Sequence, residues 1–141
     1  ANYGAAKMAL VGLMQTLALE GAKYDIRVNC LAPTAATAMT EGVLMPDALA
    51  RLAPEFVSPA LVALVGEDAP TRCILLAGAG GVESANITMT PGIFVGEQQG
   101  AAEQIRARMA EIRDRQGECV PGTGFEQAKL ELGKAGFEMP L

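Results

Sequence analysis

Apolar residues along this chain recur at two periods, and the periods divide it into elements. From Tyr3 to about Glu20, Leu10, Leu13, Met14 and Leu17 repeat at intervals of three and four, which predicts a helix with one apolar stripe. Gly21 is its expected stop. A short polar turn to Asp25 leads into Ile26-Arg27-Val28-Asn29-Cys30-Leu31, mostly β-branched and apolar, which predicts a buried strand. Pro33 ends that strand, and the Thr- and Ala-rich stretch from Thr34 to Met45 predicts a loop. Pro46 to Leu52 suits a short helix. Ser58-Pro59 marks a further helix start, since Ser can cap and Pro is tolerated in the first turn, and that helix runs to about Val65 before Gly66. Cys73 to Ala77 predicts a second buried strand, and Gly78-Ala79-Gly80-Gly81 predicts a tight turn.

The pattern then changes. Ile87 to Thr90 and Ile93 to Val95 flank Pro91-Gly92, which predicts a small hairpin or edge element. From Gln99 to Gln116, Ala102, Ile105, Met109 and Ile112 form a narrow apolar seam among charged residues. That helix either packs on its own domain or meets a partner subunit. Gly117 to Gly124 reads as a linker, and Phe125 to Leu132 as a last short helix. The composition shift divides the chain into residues 1–98 and a helical extension, 99–141.

Composition narrows the class. The 141 residues are 50% hydrophobic but only 4% aromatic. Small and aliphatic side chains must therefore fill the core, as in a parallel sheet layered with helices. A net charge of -5 argues against nucleic acid as a partner, because such binding relies on clustered Lys and Arg. No apolar run approaches the ~20 residues that span a bilayer, so no membrane partner is expected. Cys30, Cys73 and Cys119 are an odd, widely spaced set that suggests neither a disulfide framework nor a metal site. The chain has no histidine, so any proton transfer must use another group.

Tyr3 and Lys7 are that group's best candidates. Residues four apart on a helix stand on one face. A neighbouring ammonium favours the ionised form of a phenol, and a phenol so placed can exchange a proton with an alcohol or carbonyl oxygen. The same spacing also arises on ordinary solvated helix faces, so the following segments matter. The order of Tyr3-Gly4-Ala5-Ala6-Lys7, helix, and Arg27-Val28-Asn29-Cys30-Leu31-Ala32-Pro33 resembles the short-chain dehydrogenase/reductase family. There, Tyr-x-x-x-Lys precedes an Arg-Val-Asn-x-Ile-x-Pro-Gly type segment. The likeness is clear from Ala1 to about Thr40, weaker to Gly96, and not visible beyond about Gln98. Pro33 to Thr40 and the run Leu-x-Pro-Glu-x-Val-x-Pro from Leu52 to Pro59 are most similar to the (3R)-hydroxyacyl-CoA dehydrogenase branch of multifunctional β-oxidation enzymes. Thr34 departs from the pattern, which has glycine after the proline.

The resemblance implies an α/β fold, the C-terminal half of a Rossmann-type doubly wound parallel sheet with an added helical extension. It implies NAD or NADP as cofactor and a secondary alcohol or ketone as substrate, with a 3-hydroxyacyl thioester as the preferred class. Tyr3 would be the acid/base, and Lys7 would support its ionisation and hold the nicotinamide ribose. Pro33, Thr34 and Ala36 would contact the nicotinamide end of the cofactor, unless that segment is an ordinary connector. The phosphate-binding turn, the serine and a further asparagine are expected upstream, so the isolated chain is expected to be inactive. The Cys73 strand would be the last of the sheet, next to a common oligomer contact, so a homo-oligomer in the cytoplasm is expected. The alternatives are a non-catalytic assembly module and an epimerase or lyase of the extended family.

Overall fold

The computed structural model describes residues 1–96 and 99–140. By contacts it divides into two compact units, Ala1–Asn86 and Ile87–Leu141. The domain boundary expected at residue 98 lies outside the described residues.

The first unit is α/β, as the sequence predicts. Helix α1 spans Asn2–Gly21. A 3-10 turn, Ala22–Tyr24, and Asp25 in the left-handed region (φ 54°) reverse the chain. Ile26 then folds back so that its amide donates to the Gly21 carbonyl at 3.1 Å. A Cβ on Gly21 would stand 2.9 Å from the Ile26 Cβ, which is why glycine ends the helix here. Strand β1 is Cys30–Pro33, α2 is Pro46–Leu49, and α3 is Ser58–Val65. Strands β2, Ile74–Gly78, and β3, Gly81–Ala85, complete a three-stranded sheet of order β1-β2-β3. β1 and β2 are parallel, Cys30 opposite Ile74, joined by a crossover through α3. The core is small: Met14 and Ala18 of α1, Ala60 and Leu64 of α3, Ala69, and Ala77 of β2.

Four expectations need correction. The paired strand begins at Cys30, not Ile26, because residues 28 and 29 are satisfied by a loop instead of a ladder. The Val28 amide donates to Thr71 Oγ1, and its carbonyl accepts from the Arg72 amide. The Asn29 side chain donates to the Leu64 and Pro70 carbonyls and accepts from the Cys73 amide at 3.0 Å. Nor is β1 buried: Cys30 and Leu31 are half-buried, and Ala32 and Pro33 exposed, because only β2 pairs with it among the described residues. Ser58 makes no capping hydrogen bond; it lies inside α3, and Val57 takes the capping position. β2 is the central strand, since Gly78 to Gly81 closes a two-residue turn onto antiparallel β3. Ala79 and Gly80 both have positive φ, the geometry that matches strand twist in tight hairpins.

The second unit is helical. α4 is Ala101–Ala107, α5 is Met109–Ile112, and α6 is Phe125–Lys134. Arg108, with φ -104° and ψ 19°, breaks the single helix expected over Gln99–Gln116. No hairpin forms about Pro91-Gly92. Met89 instead bridges Cys119 antiparallel, through two amide–carbonyl bonds of 2.8 and 3.0 Å, so the expected linker holds a paired residue.

Candidate active site

α1 places Tyr3 and Lys7 one turn apart at its amino-terminal end. Both are exposed, and the Lys7 ammonium stands 5.5 Å from the centroid of the Tyr3 ring. That is within cation–π range, so the charge lies near the aromatic face. The two side chains open into a cleft of about 540 Å³ whose walls include Leu10, Leu13, Leu17 and Pro33. The helix stripe therefore serves two surfaces. Met14 and Ala18 enter the core, whereas Leu10, Leu13 and Leu17 stay exposed along the cleft. β1 forms the opposite wall and brings Pro33, at its carboxyl end, to the same space.

Thr34 and Ala36 lie in the loop beyond Pro33. The Thr34 amide donates to the Ala77 carbonyl at 2.9 Å, and the Ala36 amide to the Leu52 carbonyl at 2.7 Å. The loop is thus pinned on one side to β2 and on the other to the segment after α2. Thr40 Oγ1 links the Thr37 amide and carbonyl, both at 2.8 Å, and closes the next turn. Of the five residues singled out by sequence, the cleft gathers Tyr3, Lys7 and Pro33. Thr34 and Ala36 follow on the fixed loop.

Cys30 also lines the cleft. Burial pushes its thiol pKa up, and its Sγ donates to the Leu10 carbonyl at 3.7 Å. Among the described residues, no cluster of three or more His, Cys, Asp or Glu could hold a metal ion. A larger cavity, about 700 Å³, lies in the second unit between the Ile93–Val95 segment, Ile105 and Ile112. Its charged groups are Glu131 and Lys134, and the Lys134 ammonium donates to the Pro91 carbonyl. Two residues that sequence reasoning missed shape the site from behind: Asn29, which anchors β1, and Gly78, which lies under Thr34. Asn29 sits in the Arg-Val-Asn segment, and Gly78 was read only as part of a turn.

Residues 1–46 match the family described as short chain dehydrogenase. A short-chain type dehydrogenase/reductase of Mycobacterium tuberculosis is 43% identical over 122 residues, covering 86% of this chain and 42% of that protein. The peroxisomal multifunctional enzyme type 2 of Mus musculus is 36% identical over 126 residues, covering 87% of this chain and 17% of that protein. The chain therefore spans less than half the length of either relative. In structure it is similar to full-length peroxisomal multifunctional enzyme type 2 of Drosophila melanogaster, with TM-score 0.78 at 23% identity, over 97% of this chain and 26% of that one. That likeness establishes the fold.

Proposed function

We propose that this relative of the short-chain dehydrogenase/reductases supplies the acid–base helix and the nicotinamide side of an NAD(P)-dependent oxidoreductase. The reaction interconverts a secondary alcohol and a ketone, with a 3-hydroxyacyl thioester as substrate class. One observation carries the reading: Tyr3, Lys7 and Pro33 open into a single cleft between α1 and the carboxyl end of β1. Ligands of open α/β sheets sit at such strand ends. The substrate class draws on the relative named as a multifunctional peroxisomal enzyme.

The residues fit a nicotinamide dinucleotide: an exposed ammonium beside an apolar wall, with a pinned loop at the strand end. Lys7 would hold the ribose hydroxyls, and Pro33, Thr34 and Ala36 would seat the nicotinamide end. A bound cofactor supplies the hydride acceptor or donor. The protein's own part is the proton. In oxidation the Tyr3 phenolate takes the alcohol O–H proton as the C–O bond becomes C=O, and in reduction the Tyr3 O–H returns it to the forming alkoxide.

The test is Tyr3→Phe in the full-length protein. It should lower turnover by ~10²–10⁴-fold, the usual worth of a general acid-base group. The fold should be unchanged, because Tyr3 is 63% exposed and loses only a hydroxyl. Near-normal turnover would make Tyr3 a surface residue. The same full-length preparation tests assembly. Ile105 and Met109 are 39% and 42% exposed, an apolar surface that a second copy would cover. Light scattering that shows only monomer would remove the proposed homo-oligomer. The proposed compartment is the cytoplasm, against the peroxisome in the mouse relative's name, and cell fractionation decides between them.

A further inference from the structure

We infer that Gly78 is a positioning residue for the cofactor loop, and that the absence of its side chain sets the place of Pro33 to Ala36. The inference rests on the proposed cofactor site and adds to it a residue outside the cleft. β1 and β2 run parallel, with Pro33 opposite Ala77, so the chain beyond Pro33 passes directly over the end of β2. The Thr34 amide donates to the Ala77 carbonyl at 2.9 Å, and Ala77 is 3% exposed. The next residue on β2 is Gly78. A Cβ there would stand 2.6 Å from the Thr34 carbonyl oxygen and 3.0 Å from the Thr34 Cβ. The closer of these contacts is with backbone and cannot be relieved by a rotamer change. It can be relieved only by moving Thr34 off the sheet, which breaks the amide bond to Ala77. Leu52, which holds the Ala36 amide at 2.7 Å, resists that movement from the other side.

Two observations converge on this contact. Gly78 does not need glycine for its own φ, which lies outside the left-handed region, whereas Ala79 and Gly80 carry the positive φ values of the turn. The turn therefore does not explain Gly78. Thr34 bears a side chain where the related pattern has glycine, and its opposite number bears none. Exactly one side of the contact has room for a Cβ.

The experiment is a glycine swap in the full-length protein, read by NADH and NADPH fluorescence titration beside steady-state kinetics. Gly78→Ala should weaken binding of whichever cofactor the wild type takes. It should also lower kcat/KM for that cofactor by up to ~10²-fold, the cost of misplacing a reacting group by about 1 Å. KM for the alcohol should change much less. Adding Thr34→Gly removes only the 3.0 Å carbon contact and leaves the 2.6 Å contact with the carbonyl oxygen, so the double variant should stay impaired. A residue that only stabilised the fold would lower the melting temperature and leave the cofactor affinity of the folded protein unchanged. Thr34→Pro, which leaves Gly78 intact but deletes the amide bond to Ala77, should reproduce the loss and decides the matter if Gly78→Ala does not fold. Wild-type affinity in Gly78→Ala or in Thr34→Pro would overturn the inference alone. A wild-type protein that binds neither cofactor would overturn the cofactor reading and this inference with it.

Discussion

The two units hold together by different means. In Ala1–Asn86 a parallel and an antiparallel ladder share β2, and every fully buried apolar side chain of the described residues lies there. Among the described residues from 87 to 140 no side chain is fully buried. That unit relies on one two-bond bridge, Met89 to Cys119, on hydroxyl bonds from Thr88 and Thr90, and on ion pairs such as Arg108–Glu111 and Arg115–Glu118. Burial stabilises in proportion to the apolar area removed from water, whereas exposed ion pairs contribute little. The contrast teaches where rigidity is available. Side chains held in a fixed geometry need packed elements, and the candidate residues Tyr3, Lys7 and Pro33 belong to the packed unit.

The comparison is broken most directly at Met14, which is 2% exposed. Met14→Ala should cost about 2–3 kcal/mol in denaturant unfolding of the full-length protein, the low end for such truncations, because the core is small. Ile105→Ala in the second unit should cost under about 1 kcal/mol, since Ile105 is already partly exposed. Equal costs would erase the distinction between the units. A loss comparable to or smaller than that at Met14 is expected at Asn29. Asn29→Ala leaves the Cys73 amide and the Leu64 and Pro70 carbonyls short of a partner. That should cost about 1–3 kcal/mol, and hydrogen exchange at the Cys73 amide should accelerate with it. An unaltered Cys73 amide would show that Asn29 is not the anchor of β1.

The smallest effect belongs to the ion pairs. The hydrogen bond from Arg115 holds the Glu118 carboxyl below its ordinary range, with Thr88 assisting, and Arg108 does the same for Glu111. A carboxyl with a depressed folded pKa contributes stability above its unfolded pKa, near ~4.3, and loses it as pH falls through the folded value. Melts from about pH 6 to about pH 3 should therefore show a slight acid loss in the second unit that Arg115→Gln reduces. An identical acid profile in wild type and variant would show that the pair contributes nothing.

The same contrast explains what the sequence made legible. α1 was readable because Leu10, Leu13, Met14 and Leu17 keep helical spacing, and Tyr3 and Lys7 ride on it. Spacing could not say which of the four is buried. That depends on β1 and α3, and only Met14 enters the core. The start of β1 was misread because Ile26 to Asn29 have strand composition while Asn29 and Thr71 satisfy their backbone from outside a ladder. β3 was missed because Gly81-Val82-Glu83-Ser84-Ala85 has little β-branched character, and its pairing comes from the turn before it. In the second unit the apolar seam promised one helix. Arg108 interrupts it, and Met89 finds a partner thirty positions away in a glycine-rich stretch with no strand pattern. Tyr3, Lys7 and Pro33 could be listed from spacing and resemblance. That Gly78 lies against Thr34 is a matter of register between distant strands, which no local pattern carries.

The turn at Ala79-Gly80 also sets the sheet's two pairings apart in the cost of bringing the chain together. Gly78 meets Gly81 across three positions, whereas Cys30 meets Ile74 across 74 − 30 = 44. Loop-closure entropy rises by about 0.6 kcal/mol for each doubling of length, so four doublings make the parallel contact roughly 2 kcal/mol harder to initiate. β2 is thus offered to β1 already stiffened by its hairpin. The segment that must find its register over the longer distance is the one that ends in Pro33 and Thr34.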